Sequence, residues 1–367
     1  MIFRVVSSSP LPEAQRIDAV HFDNELTAAS CSDAIPGGFG GLSLGYSLFA
    51  QGLVSGRLGQ PIDFVDLGHI QVFAGDEKGF LVFEGRVQDI DSPTGLQATA
   101  VTATGYGVGT MAATTDMWFF QDPYDNEPTI GGGQLLREVL KASAPLLVLG
   151  DSDGMYEPGG SYKVSAQSTR FPNQAVDEVI KAGDFQNNQV IFAVYEDRVV
   201  QLRPRVPPVD RITGELIANC YLPVDRTRIQ WRRSGSLMVG AVAVQFAEQD
   251  STSAKHTAVS SELEQTLFRD AHGGLLRGYL VSTSSWTQAQ AEFFRDTYLQ
   301  RYKNAVITCT TTLDNTWPAY DRNGGAIPFY QVRAGDWLIV GDQEPIMITS
   351  TRKDLTKQTC QIVASTI

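Results

Sequence analysis

Both ends of this chain carry short runs in which apolar residues alternate with polar or small ones, cut repeatedly by Gly and Pro. The alternation constrains the fold more than any other feature, because a period of two places every second side chain on one face of a pleated strand. Near the N-terminus Leu42, Leu44, Tyr46 and Leu48 alternate, as do Ile70 and Val72, then Leu81 and Phe83, then Leu96, Ala98 and Ala100. Ala74-Gly75-Asp76-Glu77-Lys78-Gly79 separates two of these runs and predicts a hairpin with a longer loop. Pro36-Gly37-Gly38 and Ser92-Pro93-Thr94-Gly95 are further breaks. Short strands at such spacing predict a β-barrel or sandwich.

From about residue 115 the period changes. Phe119–Pro128 reads as a polar, aromatic linker. After Gly131-Gly132-Gly133, the residues Leu135, Leu136, Val139 and Leu140 share one helical face. A second helix is predicted over Pro172–Ala182, with Pro172 in the first turn and Gly183 at its end. Strands at Val190–Tyr195 and Arg198–Arg203 complete a small α+β unit, and Pro204–Pro208 marks its boundary.

The strand pattern then returns. Leu237–Phe246 reads as a strand buried on much of both faces, followed by a polar stretch, Ala247–His256, and a short helix over Ser260–Phe268. A longer helix is predicted over Trp286–Tyr302, with Ser285 and Gln288 as a capping box and Trp286, Ala289, Phe293 and Phe294 as its apolar face. Val306–Leu313, Trp337–Val340, Ile346–Thr351 and Thr359–Val363 are strands. Leu67-Gly68-His69-Ile70-Gln71-Val72-Phe73 and Ala334-Gly335-Asp336-Trp337-Leu338-Ile339-Val340 echo one another. Each opens a run of three strands, which suggests an internal duplication.

No constellation for chemistry emerges. Neither Pro36-Gly37-Gly38-Phe39-Gly40-Gly41 nor Gly105-Tyr106-Gly107-Val108-Gly109 completes a dinucleotide fingerprint, and no helical pattern follows either, so both predict β-turns. Asp151-Ser152-Asp153-Gly154-Met155-Tyr156-Glu157 has its Gly and Glu at the wrong positions for a calcium loop. The carboxylates Asp122, Asp125, Glu127 and Glu138 could serve a glycoside hydrolase, but nothing fixes a pair in space. Cys31, Cys220, Cys309 and Cys360 form no CxxC pair and predict buried free thiols. His21, His69, His256 and His272 lack metal-site spacing. No catalytic, cofactor-binding or metal residue is therefore assigned, and the chain is not expected to be an enzyme or to carry a cofactor. Arg226, Arg228, Arg232 and Arg233 surround Trp231, and this cluster is expected at a subunit interface.

Charge and hydropathy narrow the partners. Lys and Arg number 29 against 41 Asp and Glu, a net charge of −12, which argues against a basic duplex-binding surface. The longest apolar run, Leu146–Leu149, is far too short to span a membrane. Met1–Val6 is too short for the core of a signal peptide.

Five segments in order resemble the hub or minor tail proteins of long-tailed bacteriophages, the family of the baseplate hub. Phe22–Cys31 with Ala34–Leu44 resembles the family's opening stretch. Gly68–Phe73 followed by Phe83-Glu84-Gly85-Arg86-Val87 resembles its next strand and F-x-G-x-V step. Ala103-Thr104-Gly105-Tyr106-Gly107 resembles the end of its first barrel. Gln230-Trp231-Arg232-Arg233 before Met238–Phe246 resembles its returning strand. Pro318-Ala319-Tyr320-Asp321 with Val332–Ile339 resembles its closing segment. The stretch 247–285 departs most from the family.

The resemblance implies a mainly β chain with two tail-tube-like β-barrel domains and a small α+β domain. The expected division is a first barrel at 1–112, the α+β domain at 113–205, and returning strands at 206–246. An insertion with a helix follows at 247–304, and the rest of the second barrel at 305–367. It implies a structural virion protein of the tail tip, assembled in the host cytoplasm, in which three chains present six barrels in a ring. The implied partners are further copies of the chain, the tail tube or distal tail protein, the tape-measure protein, tip or fibre proteins, and genomic DNA passing without specific binding. No membrane insertion is implied. The alternatives are the distal tail protein, a hexameric ring, a tail-associated glycan hydrolase using Glu138, and a glycan-binding adhesin using Trp118 and Tyr124.

Overall fold

The computed structural model describes residues 2–8, 19–22, 26–46, 67–75, 79–91, 100–112, 118–119, 129–144, 146–149, 156, 158–159, 161–163, 169–186, 188–225, 227–247, 256–283 and 286–366. The expected strand at Leu96–Ala98, the linker beyond Phe119, the polar stretch 248–255, Arg226 and all of Asp151–Glu157 except Tyr156 lie outside these. The chain is mainly β, built on one large mixed sheet with a small α+β portion.

The first strands are β1 (Ile2–Ser8), β2 (Ala19–Phe22), β3 (Leu26–Ala34), β4 (Gly37–Tyr46), β5 (His69–Gly75), β6 (Phe80–Asp91) and β7 (Ala100–Gly105). They run β2-β1-β5-β6-β7-β4-β3 across the sheet, and every pairing is antiparallel. The alternation is realised as expected: Ile70 and Val72 of β5 are buried while His69 and Gln71 are half-buried. At the β3–β4 corner the Ile35–Pro36 peptide is cis and Gly37 and Gly38 take φ of 126° and 88°, where a Cβ is strained.

Here the structure corrects one expectation. Gly105-Tyr106-Gly107-Val108-Gly109 does not form a turn; a helix, α1 (Tyr106–Ala112), starts directly after β7. The glycines allow it to press on the β3–β4 corner: a Cβ on Gly107 would lie 1.9 Å from the Gly37 carbonyl oxygen.

The middle region holds α2 (Gly132–Ser143) and α3 (Pro172–Ala182), then β8 (Val190–Val194) and β9 (Val200–Pro204). Leu135, Leu136, Val139 and Leu140 are buried against Val176 and Val179, forming a core apart from that of the large sheet. Gly183 ends α3 at φ 75°. β8 joins the large sheet through a short parallel ladder, Ala193 opposite Gly37 and Val194 opposite Gly38.

Next come β10 (Cys220–Leu222) and β11 (Gln230–Ser234). A separate three-stranded sheet follows, with β12 (Ala241–Phe246) between β13 (His256–Val259) and β14 (Gly278–Thr283). The strand expected over Leu237–Phe246 starts only at Ala241, because Gly235–Met238 forms a turn that leaves Leu237 53% exposed. It buries alternate residues, not both faces. Two helices belong to this part, α4 (Glu262–Ala271) and α5 (Gln288–Tyr302). The cap of α5 is Thr287 with Gln290, not Ser285 with Gln288: Gln290 N–H donates to Thr287 Oγ1 at 3.2 Å. Trp286 stays outside the helix with its ring 5.0 Å from Phe294. This shift of register buries Gln290, Ala291, Phe294, Thr297 and Leu299 and exposes Ala289.

The chain ends in β15 (Val306–Leu313), β16 (Trp337–Val340), β17 (Ile346–Asp354) and β18 (Thr359–Ser365). These pair β11-β15-β18-β17-β16, all antiparallel. The order and directions match β3-β4-β7-β6-β5. The match extends to single hydrogen bonds. Leu67 N–H donates to Val87 O and Val87 N–H to Gly68 O, at 3.0 and 2.9 Å. Gly335 N–H donates to Ile348 O and Ile348 N–H to Asp336 O, at 2.7 and 2.8 Å. Leu67 and Gly335 share a positive φ, and both ladders carry an irregularity directly afterwards, at Val87/Asp89 and Ile348/Ser350. The sequence echo is thus a repeated five-strand unit, with one correction: Gly335 aligns with Leu67, not with Gly68.

Candidate functional site

The two units share one hydrophobic core and meet edge to edge. β17 is longer than β16, so its first residues pair with β16 and its last five, Ser350–Asp354, pair with β3. This ladder places Lys353 between Cys31 of β3 and Cys360 of β18. A lysine at that inward-facing row must meet a partner, and it does: Nζ lies 2.8 Å from Asp33 Oδ2 with both side chains 0% exposed. Thr351 Oγ1 donates to the same oxygen at 2.9 Å, and Asp33 Oδ1 is buried without a hydrogen bond. Burial is the largest influence on the lysine and would lower its pKa, but Asp33 together with the neighbouring Cys31 and Cys360 outweighs it and the net shift is upward. Burial pushes the Cys31 and Cys360 thiols up to about 12. All four cysteines are free and buried, as their strand positions implied.

The α+β portion locks this junction. Tyr195, just after β8, donates its hydroxyl to Ala334 O at 2.5 Å. Arg203 and Arg205 donate to Gly335 O and Ser365 O at 2.8 and 2.6 Å. Arg333 crosses the other way: it donates to Leu81 O at 2.8 Å, pairs with Glu196 at 2.5 Å, and lies 4.5 Å from the Phe80 ring centroid and 5.2 Å from that of Tyr195. A second buried carboxylate, Glu84, accepts from Gln71 Nε2 at 3.2 Å and Arg198 N–H at 3.3 Å, with His69 Nε2 3.4 Å away. Burial raises its pKa against these hydrogen bonds. His69 Nδ1 in turn meets the Tyr106 hydroxyl at 2.8 Å.

Of the residues expected at an interface, Trp231, Arg232 and Arg233 fall on β11 and Arg228 just before it. Gln230, Trp231, Arg232 and Arg233 are exposed, and among the described residues β11 pairs only with β15. Trp231 stands on the core side, opposite the buried Cys309, yet is 44% exposed because no strand covers it. Arg228 is engaged within the chain, 3.4 Å from Asp314 and stacked 5.5 Å over Trp317.

Glu138 is exposed on the outside of α2, and Asp122, Asp125, Glu127 and Tyr124 lie outside the described residues, as does the Trp118 side chain. The cleft beside α1, about 220 Å³, is lined by Leu67, Arg86, Tyr106, Thr110, Leu147 and Pro172 among others, and among the described residues no carboxylate lines it. Among the described residues no group of three His, Cys, Asp or Glu gathers.

The sequence reading missed Asp33, Lys353, Glu84 and Arg333. The signal for Lys353 was present: it falls in step with Thr351 and Leu355 at inward positions of an alternating strand, where a charge needs a buried partner.

No family model matches the chain, and no curated protein matches its sequence. Solved structures do match. The prophage MuSo2 43 kDa tail protein from Shewanella oneidensis shares 13% identity at a TM-score of 0.57, with 99% of this chain and 98% of that one covered. The prophage tail protein gp18 from Listeria monocytogenes shares 9% identity at a TM-score of 0.56, with 99% and 94% covered. Along nearly its whole length, the chain has the fold of prophage tail proteins.

Proposed function

We propose that the chain is a structural protein of a phage tail tip, in which three copies form a hub ring that joins the tail tube to the tip proteins. The observation that carries this reading is the repeated five-strand unit within a fold shared with prophage tail proteins. A chain with two similar units joined edge to edge supplies two of six positions in a ring, so three chains match a six-fold tube to a three-fold tip. The same duplication disfavours the distal tail reading, since a hexamer needs one unit per chain.

In this reading the two units form two barrels and the α+β portion clamps them, following the division of the sequence at 112, 205 and 304, while the boundary expected at 246 moves ahead of β12, because Ala241–Phe246 belongs to the separate three-stranded sheet. The sheet of β12, β13 and β14 with α4 and α5 interrupts the β11–β15 hairpin as an insertion. The role is structural, not catalytic. The net charge of −12 suits a conduit that DNA crosses without being held, because basic side chains on phosphates are what retain DNA. Native mass spectrometry of the purified chain, with imaging of tail tips, tests this. A three-fold ring supports it. A chain that stays monomeric and contributes no density to tail tips counts against it.

A further inference from the structure

The repeat leaves two edges over. Within the chain, β3 of the first unit covers the last residues of β17 in the second. The equivalent edges are β11, which corresponds to β3, and the end of β6, which corresponds to that of β17. Among the described residues, neither β11 on its outer side nor β6 beyond Val87 on the β5 side has a strand against it. The ladders fix an anchor on each strand and the rest follows by counting along it; the β3–β4 ladder has an irregularity between Cys31 and Asp33, with the extra residue on β4, that the β11–β15 ladder lacks. Cys31 faces Leu42 as Trp231 faces Cys309, so Ser32 corresponds to Arg232 and Ala34 to Ser234. Val87 corresponds to Ile348 through their matched hydrogen bonds, so Asp89 corresponds to Ser350 and Asp91 to Arg352.

In the chain Ser32 faces Arg352 and Ala34 faces Ser350. Carried to the two remaining edges, this register sets Arg232 opposite Asp91 and Ser234 opposite Asp89. The charges agree on the outer face: β11 exposes Arg232, and β6 exposes Asp89 and Asp91. On the core side the same register sets Arg233 opposite the half-buried Ile90 and leaves Trp231 diagonal to it, within reach of an apolar neighbour.

Building on the ring reading, we propose that β11 of one copy adds antiparallel to the end of β6 in the next copy, with Arg232 opposite Asp91. The ladder between chains then repeats the β3–β17 ladder within each. It is strand addition to a sheet edge, with main-chain hydrogen bonds giving affinity and the Arg232–Asp91 pair setting register. Because each copy gives one edge and takes the other, the contact is head-to-tail and closes a ring.

Paired cysteines test it in the full chain. Asp89→Cys with Ser234→Cys brings two thiols to directly opposed strand positions, within disulfide reach, while the four native cysteines are buried. Mild oxidation should give covalently linked chains on a non-reducing gel. The control Asp89→Cys with Arg233→Cys, whose thiols point to opposite faces, should not. Arg232→Asp alone should weaken association more than ~10-fold, and Arg232→Asp with Asp91→Arg should restore it. A wild-type ring with no cross-link and no effect of Arg232→Asp would overturn the pairing and leave the ring standing. A wild-type chain that never associates would overturn both.

Discussion

Replacing Lys353 by Met tests whether one ion pair pins the two units together. Lys353 and Asp33 are both 0% exposed at the side chain and 2.8 Å apart, and the Thr351 hydroxyl is the other group on Asp33 Oδ2. Methionine keeps most of the apolar stem and removes the amine, so a buried carboxylate is left with one hydroxyl. Breaking such a pair from one side costs about 3–5 kcal/mol. At 1.4 kcal/mol per tenfold, the folding equilibrium constant falls by roughly 100- to 4,000-fold. Asp33→Leu with Lys353→Met removes both charges and should recover most of the loss, because an apolar pair of similar volume replaces a buried ion pair at little net cost. Only the Thr351 hydroxyl then lacks its partner, a loss of about 1–2 kcal/mol. Equilibrium urea unfolding at pH 7, followed by tryptophan fluorescence, reads this, since Trp337 is buried on the neighbouring β16. A single variant within about 0.5 kcal/mol of the parent, or a double variant worse than the single one, would refute the reasoning. The pair also sets an alkaline limit. The folded pKa of Lys353 lies above its ordinary 10.5, so its contribution is complete below that pH and is lost as pH rises through the folded value.

Glu84 gives a slope of the same sign on the acid side. Its pKa is raised above 4.5 by burial, so the native state holds the proton more tightly and stability falls as pH climbs through that shifted value. Glu84→Gln should flatten this slope in urea midpoints measured between pH 4 and 8, and an unchanged slope would exclude Glu84 as its source. Gly38→Ala should detach the α+β portion from the sheet, since its Cβ would lie 2.2 Å from Val194 O at φ 88°. Limited proteolysis should then cut between β9 and β10 faster than in the parent. Arg333→Lys should destabilise by about 1–2 kcal/mol despite keeping the charge, because only the planar guanidinium can lie over Phe80 and Tyr195 while donating to Leu81 O. A neutral Arg333→Lys in thermal unfolding would show that charge alone matters there.

Local pattern carried the strands and the two middle helices, because burial at every second or every third-to-fourth residue is written directly into the chain. Val306–Leu313 and Pro172–Ala182 begin and end where the pattern placed them. Pattern failed where geometry outside the segment decides. Gly105–Gly109 lacks an apolar helical face, yet α1 forms because its glycines let it sit on the Gly37 carbonyl. Leu237 and Met238 look like strand residues, but the Gly235 turn starts the strand four residues later. At the junction, Asp33 and Lys353 are 320 residues apart, and only the pairing of β3 with β17 brings them together. The arginines around Trp231 were visible as a cluster; their place on an uncovered edge, opposite in sign to the end of β6, needed the sheet order.

The rotational symmetry of the native assembly tests the account most directly. Reconstruction of the isolated ring or of tail tips without imposed symmetry should show three copies, with six five-strand units around one axis. Six copies contributing one unit each to the ring, or particles that hold a single chain, would contradict it.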